Sequence, residues 1–220
     1  MQRIHSHFSH SGIPPRLHGL NVETLRRACS AAAGVDDDGL EGKAEAIRAV
    51  KAISEEGDFR GKSGLLLFGP NGCGKTGLLV TLARSAFESG WTPLFVKYTD
   101  LVQSVQAGYG KPVNGPSGGT EHMDLSDFLV QVAQTVPLLI LDDVGDPFAR
   151  QDRFHETEDR RKILFQILSA RHETERPTHL SANFRGRGGL SDQIGPRLTD
   201  RMREMCAEVQ MTGANLRDAS

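Results

Sequence analysis

The chain has 220 residues, 26 of them basic and 28 acidic, which is enough for one sizeable hydrophobic core and indicates a single domain. Because the charges nearly cancel, bulk charge points to neither nucleic acid nor membrane, and any such contact must come from a local patch. Cys29, Cys73 and Cys206 lie far apart without metal-ligand spacing, so we expect free thiols in a reducing compartment. No apolar run is long enough to span a membrane, and the polar N-terminus lacks the features of a signal peptide. We therefore expect a cytoplasmic protein with no membrane partner.

The segment before residue 60 predicts one long helix preceded by irregular chain. We interpret residues 1–20 as a flexible N-terminal arm, because no carboxylate or cysteine cluster joins its histidines to make a metal site. Residues 21–33 fit a short helix, and residues 34–39, with three adjacent acids, fit a turn or an exposed loop. Residues 41–56 place apolar side chains at helical spacing, and Gly57 is expected to end this helix.

The next stretch is an apolar strand that runs into a glycine-rich turn and then a helix. Its residues match the pattern G-x-x-x-x-G-K-[ST], with Lys75 and Thr76 as the last two. Glycines let several backbone N–H groups point at one spot, and the following helix adds the positive end of its dipole, which suits a phosphate. Lys75 is expected to reach the β- and γ-phosphates of a nucleotide, and Thr76 to bind Mg²⁺. The predicted nucleotide-binding residues of this loop are Gly69, Pro70, Asn71, Gly72, Cys73, Gly74, Lys75, Thr76 and Gly77.

The strand–helix alternation continues up to residue 135. The expected elements are a strand over 93–98, a helix to about residue 107 capped by Thr99 or Asp100, and a helix over 124–135 capped by Asp124 or Ser126. Between the two helices, residues 108–120 contain five glycines and two prolines, which predicts a mobile loop.

Two carboxylates stand at the end of the next apolar strand, over residues 137–143. An aspartate in this position often only caps a turn. After a phosphate loop, however, Asp142 is expected to hold Mg²⁺ directly or through water, and Asp143 to accept a proton from the attacking water or to orient it.

The last third of the chain completes an α/β pattern. We expect a helix over 158–172, a strand over 178–181, a helix over 192–204, in which Pro196 allows a break, and a strand over 207–212. Strands that alternate with helices predict a five-stranded parallel sheet flanked by helices, with ligands at the carboxyl ends of the strands. Asn183 would then hydrogen-bond the phosphate or the water, unless it is only a turn residue. Arg201 and Arg217 are candidates for stabilising the transferred phosphoryl group, with ordinary surface charge as the alternative.

In this order the motifs resemble those of the AAA+ ATPases of the DnaC and IstB type, which are bacterial helicase loaders and transposition helper proteins. The matching stretches are the start at 11–16, Walker A at 64–76, Walker B at 138–145, sensor 1 at 180–184, the arginine-finger segment at 194–202 and sensor 2 at 215–217. The resemblance implies a P-loop NTPase of the AAA+ (ASCE) class over residues 21–217, with a small or absent lid domain and a tail at 218–220.

The resemblance also implies roles for individual residues. Within one subunit, ATP and Mg²⁺ would be bound and acted on by Lys75, Thr76, Asp142 and Asp143. Asn183 would be sensor 1, and Arg217 would sense the γ-phosphate. Arg201 would reach the ATP of a neighbouring subunit in a homo-oligomer, and Arg197 is the fallback for this role. Asp143 stands where many AAA+ proteins have glutamate, which implies slow hydrolysis. The role of Arg201 implies that hydrolysis needs an oligomer.

Three functions remain open at this point. Residues 185–203 carry five arginines and two acids, which suits either the phosphates of DNA or the acids of a neighbouring subunit. The resemblance favours a loader of a replicative helicase that assembles on DNA, with single-stranded DNA preferred. The alternatives are a transposition helper that coats duplex DNA and recruits a transposase, and a nucleotide-gated adaptor with little turnover.

Overall fold

The computed structural model describes residues 13–21, 23–25, 37–59, 64–114, 122–145, 158–183, 189, 191, 194–212 and 216. The strands in these ranges are β1 (Gly64–Phe68), β2 (Pro93–Lys97), β3 (Pro112–Asn114), β4 (His122–Asp124), β5 (Leu138–Val144), β6 (Thr178–Ala182) and β7 (Cys206–Gln210). The α-helices are α1 (Asp37–Glu56), α2 (Lys75–Glu88), α3 (Tyr98–Ala107), α4 (Leu125–Thr135), α5 (Glu158–Glu173) and α6 (Pro196–Met205), and a 3₁₀ turn covers Pro15–Leu17. None of these helices is both long and apolar enough to cross a lipid bilayer.

Five of the strands form one sheet in the order β2-β5-β6-β1-β7, and every neighbouring pair is parallel. All five strands therefore end at the same edge, which we call the carboxyl edge. The segments that follow β1, β5 and β6 meet there, because these three strands are neighbours. The predicted five-stranded parallel sheet flanked by helices is confirmed.

Helices cover both faces of the sheet. On one face, α3 to α6 pack against strand residues such as Leu66 and Leu139. On the other face, α1 and α2 pack against residues such as Leu65 and Leu138. Successive strand residues point to opposite faces, so one continuous apolar run supplies both cores.

Two helix starts differ from the predictions. The first long helix begins at Asp37, so the predicted turn over 34–39 is wrong for its last residues. The helix α3 begins at Tyr98 without a side-chain cap, so the predicted cap at Thr99 or Asp100 is also wrong. Tyr98 is buried in the core, and this packing sets where the helix begins.

Two segments expected to be flexible contain ordered structure. Ile13, within the predicted arm, is 4% exposed and packs into the core beside α1 and α2. The predicted loop over 108–120 contains β3, which pairs antiparallel with β4. Asp124 ends this two-stranded ribbon and caps α4 by accepting a hydrogen bond from the Ser126 N–H, as predicted.

A buried arginine joins α4, α5 and β6. Arg171 is 0% exposed and donates hydrogen bonds to the carbonyl oxygens of Ala133 at 3.0 Å, Val136 at 2.8 Å and Pro177 at 2.6 Å. Burial lowers the pKa of its guanidinium to about 9, and the nearby Arg176 charge adds to this. The carbonyls at the C-terminal end of α4 carry the negative end of the helix dipole, so they offset the burial of this charge.

A buried histidine makes the stability of the fold depend on pH. His179 in β6 accepts a hydrogen bond from the Leu65 N–H at 3.0 Å through Nδ1, while its Nε2 finds no partner among the described residues. Burial lowers the pKa of His179 from 6.5 to about 3, and the Arg171 charge adds to this. Between these two values the unfolded chain binds a proton that the folded chain excludes, so stability falls as pH drops below 6.5.

We expect this histidine to cost about 2 kcal/mol of stability between pH 6.5 and pH 5, from about 1.36 kcal/mol per pH unit of unequal proton binding. Urea unfolding of the wild type and of His179→Gln at pH 7 and pH 5 measures this loss in the free energy of unfolding. The variant should lose less stability on acidification by about this amount, since all other titrating groups are shared. Equal losses in the two proteins would contradict the assignment.

Candidate nucleotide-binding site

The phosphate loop connects β1 to α2 at the carboxyl edge. Gly69 has φ 151°, and a Cβ placed on it would lie 2.0 Å from the Met211 carbonyl oxygen. Met211 approaches this closely because its N–H donates to the Phe68 carbonyl at 2.7 Å, just beyond β7. Gly74 has φ 107° and directly precedes α2. Only glycine satisfies both positions, so the loop geometry depends on the glycines of the motif.

Lys75 is held against the phosphate loop. It is 4% exposed, and its Nζ donates to the carbonyl oxygens of Gly69 and Pro70 at 2.8 Å each. Burial lowers its pKa, whereas nearby Cys73 and the carboxylates Asp143 and Asp142 act in the opposite direction. These contacts place the ammonium inside the curve of the loop, where a phosphate bound to the backbone N–H groups would meet it.

Asp142 and Thr76 form a direct pair across β5 and α2. The Thr76 hydroxyl donates to Asp142 Oδ2 at 2.9 Å and lies 3.2 Å from Oδ1, and Asp142 is 0% exposed. Burial raises the pKa of Asp142 and the Asp143 charge adds to this, whereas hydrogen bonds from Ser181 and Thr76 oppose it. The Thr76 proton is committed to Asp142, so its oxygen lone pairs are available to a metal. This donor set fits Mg²⁺, with Thr76 as a ligand and Asp142 beside it or bound through water.

Asp143 and Asn183 face each other at the ends of neighbouring strands. Asp143 has φ 56°, which is rare for a residue other than glycine, and the β5–β6 register shifts between Leu141 and Val144. Asn183 is exposed, and its Nδ2 donates to Asp143 Oδ1 at 2.8 Å. The two polar groups predicted to act on water therefore lie together at the carboxyl edge.

Arg201 lies away from this group. Its Nη1 donates to His172 Nδ1 at 2.8 Å and to Glu204 Oε2 at 3.0 Å. His172 lies in the last turn of α5, shortly before β6 begins, and Arg201 lies one helical turn before β7 begins. Both are therefore near the amino edge of the sheet, opposite the phosphate loop. Arg197 is exposed in the first turn of α6, closer to the carboxyl edge.

Arg217 and residues 185–188 of the arginine-rich segment lie outside the described residues. The residue before Arg217 is described: the Leu216 N–H donates to the Gly72 carbonyl at 2.9 Å. A Cβ placed on Gly74 would lie 3.0 Å from Leu216 Cδ1. Leu216 itself therefore lies against the phosphate loop.

Ser181 is a residue of this site that was not predicted from the sequence. This serine is 0% exposed in β6 and joins the two aspartates: its hydroxyl donates to Asp142 at 2.5 Å and accepts from the Asp143 N–H at 3.0 Å. A signal was present, since Ser181 and Asn183 are two residues apart and therefore lie on the same face of a strand. A polar residue inside an otherwise apolar strand also needs a partner.

A family model described as IstB-like ATP binding protein matches residues 44–218, which is most of the chain. The chain belongs to this family. Its phosphate loop, both aspartates and Asn183 all fall within the matched region.

Two sequence relatives of the IstB-like chain come from insertion sequences. A putative insertion sequence ATP-binding protein of Sinorhizobium fredii is 28% identical over 183 residues, covering 83% of this chain and 50% of that protein. A putative ATP-binding protein of insertion sequence IS1162 from Pseudomonas fluorescens is 29% identical over 157 residues, covering 68% of this chain and 63% of that protein. The IstB-like chain thus matches between half and two thirds of the length of these relatives.

Solved structures show the same fold. The DnaC helicase loader superposes with a TM-score of 0.67 at 16% identity, covering 90% of this chain and 100% of that one. A DnaA replication initiator bound to AMPPCP and single-stranded DNA superposes with a TM-score of 0.62 at 20% identity, covering 94% of this chain and 53% of that one. The IstB-like chain therefore has the P-loop AAA+ fold predicted from its motifs.

Proposed function

We propose that this chain binds ATP with Mg²⁺, hydrolyses it slowly, and assembles on DNA under the control of the bound nucleotide. The observation that carries the proposal is the convergence of three groups at one edge of the sheet: Lys75 in its loop, the Thr76–Asp142 pair, and the Asp143–Asn183 pair. ATP binding follows from the family. Hydrolysis and assembly on DNA are proposals that go beyond family membership.

In the proposed reaction, water attacks the γ-phosphorus and the bond between this phosphorus and the oxygen bridging to ADP breaks. Asp143 accepts the proton of the water, and Asn183 holds the Asp143 carboxylate in place by the hydrogen bond at 2.8 Å. Lys75 offsets the negative charge of the β- and γ-phosphates. Mg²⁺ held at Thr76 and Asp142 would neutralise charge on the phosphate oxygens. Arg217 would sense the γ-phosphate in the same subunit.

Arg201 completes the site of a neighbouring subunit in this proposal. Its position near the amino edge puts it far from the phosphate loop of its own chain, which favours a role in trans. Hydrolysis would then require a homo-oligomer, and the chain contacts in that oligomer would orient Arg201. Such an interface joins different surfaces of successive subunits, and so can form a ring or a helical filament.

Among the cellular roles, we propose a transposition helper that assembles on duplex DNA and recruits a transposase. The resemblance to DnaC- and IstB-type proteins favoured loading of a replicative helicase, with single-stranded DNA preferred. The family membership and the two insertion-sequence relatives support the helper role instead. The loader remains the second candidate, because the DnaC helicase loader has the same fold over nearly the whole chain.

Assembly on DNA distinguishes these roles. The protein is mixed with single-stranded or duplex DNA of equal length, at near-physiological salt, with ATP, with ADP or without nucleotide, and the size of the complex is measured by analytical ultracentrifugation. ATP-dependent assembly on the duplex is the expected result. Assembly only on the single strand would favour the helicase loader. ATP binding without assembly on either DNA would overturn the DNA-bound function and favour a nucleotide-gated adaptor.

A further inference from the structure

We infer that Ser181 is a positioning residue that sets the magnesium-binding geometry of Asp142 and the orientation of Asp143 together. This inference rests on the proposed Mg²⁺ site at Thr76 and Asp142. Ser181 would touch neither nucleotide nor metal, and would act only through the two aspartates.

The first contact fixes Asp142. The Ser181 hydroxyl donates to Asp142 Oδ1 at 2.5 Å, while Thr76 donates to Oδ2 at 2.9 Å. Ser181 and Thr76 thus hold the carboxylate mainly through different oxygens, and Thr76 also lies 3.2 Å from Oδ1. These contacts restrict rotation of the carboxylate, so Thr76 stays oriented with its lone pairs available to Mg²⁺.

The second contact fixes Asp143. The regular pairing of β5 with β6 is interrupted between Leu141 and Val144, so the Asp143 N–H is taken out of the strand ladder. The Ser181 hydroxyl accepts this N–H at 3.0 Å and replaces the missing ladder bond. Interruptions of this kind re-aim a side chain, and here the re-aimed side chain is Asp143, which meets Asn183.

One hydroxyl therefore serves as donor to one aspartate and acceptor from the other. Ser181 is 0% exposed, so bulk water does not reach either bond. Removing the hydroxyl would leave an oxygen of Asp142 and the N–H of Asp143 without this partner. We expect Asp142 at the metal site and Asp143 both to be held less rigidly.

The test measures Mg²⁺-dependent ATP binding, which needs no hydrolysis. The affinity of the full chain for a fluorescent ATP analogue is measured in EDTA and across a Mg²⁺ titration, for the wild type, Ser181→Ala and Ser181→Thr. For Ser181→Ala we expect about 10-fold weaker Mg²⁺-dependent binding, which is the lower end of the effect of losing a group that supports a metal ligand. Binding in EDTA should be unchanged. Ser181→Thr retains the hydroxyl and should restore the Mg²⁺ dependence.

Ser126→Ala is the matched control. Ser126 is 5% exposed, and its hydroxyl donates at 2.6 Å to Oδ1 of the half-buried Asp124, so this variant also removes a serine–carboxylate bond, but at the cap of α4. Thermal melting measures how much stability each alanine variant loses. Only Ser181→Ala should change the Mg²⁺ dependence.

Comparison with the Asp142→Asn variant shows which result would overturn the inference. If Asp142→Asn loses the Mg²⁺ dependence while Ser181→Ala keeps it, Ser181 does not position the metal site. If the wild type binds ATP equally well with and without Mg²⁺, the inference fails together with the metal site. Failure of the DNA-bound function is seen separately, as ATP binding without assembly on DNA.

Discussion

Lys75→Ala is expected to lower ATP turnover by about 100-fold or more, because removal of one charge-stabilising donor in a catalytic site costs about this much. The lysine ammonium lies 2.8 Å from two carbonyl oxygens of the phosphate loop, so it is already placed where the β- and γ-phosphates would bind. Phosphate release at saturating ATP and DNA measures turnover, and a fluorescent ATP analogue measures binding. Unchanged turnover would show that the nucleotide site has been assigned to the wrong residues.

Two further variants separate the charge of Lys75 from its packing. Lys75 is buried, so alanine also leaves a space beneath the loop. Lys75→Met keeps the length of the side chain without its charge, and should be as inactive as the alanine variant. Lys51→Ala removes a lysine whose side chain is 57% exposed on α1, and should behave as the wild type.

Arg201→Ala is expected to leave ATP binding by the single subunit intact and to lower assembly-dependent hydrolysis by about 1,000-fold, the lower end of the effect of an arginine finger. Arg201 contacts His172 and Glu204 near the amino edge, away from the phosphate loop of its own chain. Loss of ATP binding in the isolated Arg201→Ala subunit would contradict a role in trans. Arg48→Ala removes an exposed arginine on α1, outside the arginine-rich segment, and is the control that should retain hydrolysis.

Mixing two inactive variants tests the role in trans directly. A Lys75→Ala subunit still carries Arg201, and an Arg201→Ala subunit still carries an intact phosphate loop. In an equal mixture, about one quarter of the interfaces join these two intact halves, so hydrolysis should return to a comparable fraction of the wild-type rate. A mixture that stays inactive would exclude action between subunits. If Arg201→Ala is active and Arg197→Ala is not, the role belongs to Arg197.

The fold could be predicted largely because its signals are local. A strand buried on both faces must be apolar along its whole length, which makes β1 and β5 visible in the sequence. The start of α6 at Pro196 and the cap at Asp124 are equally local, since each depends on one residue and its immediate neighbours. The predictions failed where packing decided the outcome: Tyr98 begins α3 because it is buried, although its neighbours are better caps.

By itself, the sequence determined the glycine-rich loop after β1 and the order of the strands and helices, because a loop of this kind needs particular residues at fixed spacing. It also indicated that Asp142, Asp143 and Asn183 share one edge, since parallel strands end together. Only the tertiary structure decided that the Ser181 hydroxyl joins the two aspartates and that Arg201 lies near the opposite edge. These contacts link residues distant in the chain, with geometry set by strand register and helix packing, which no local pattern specifies.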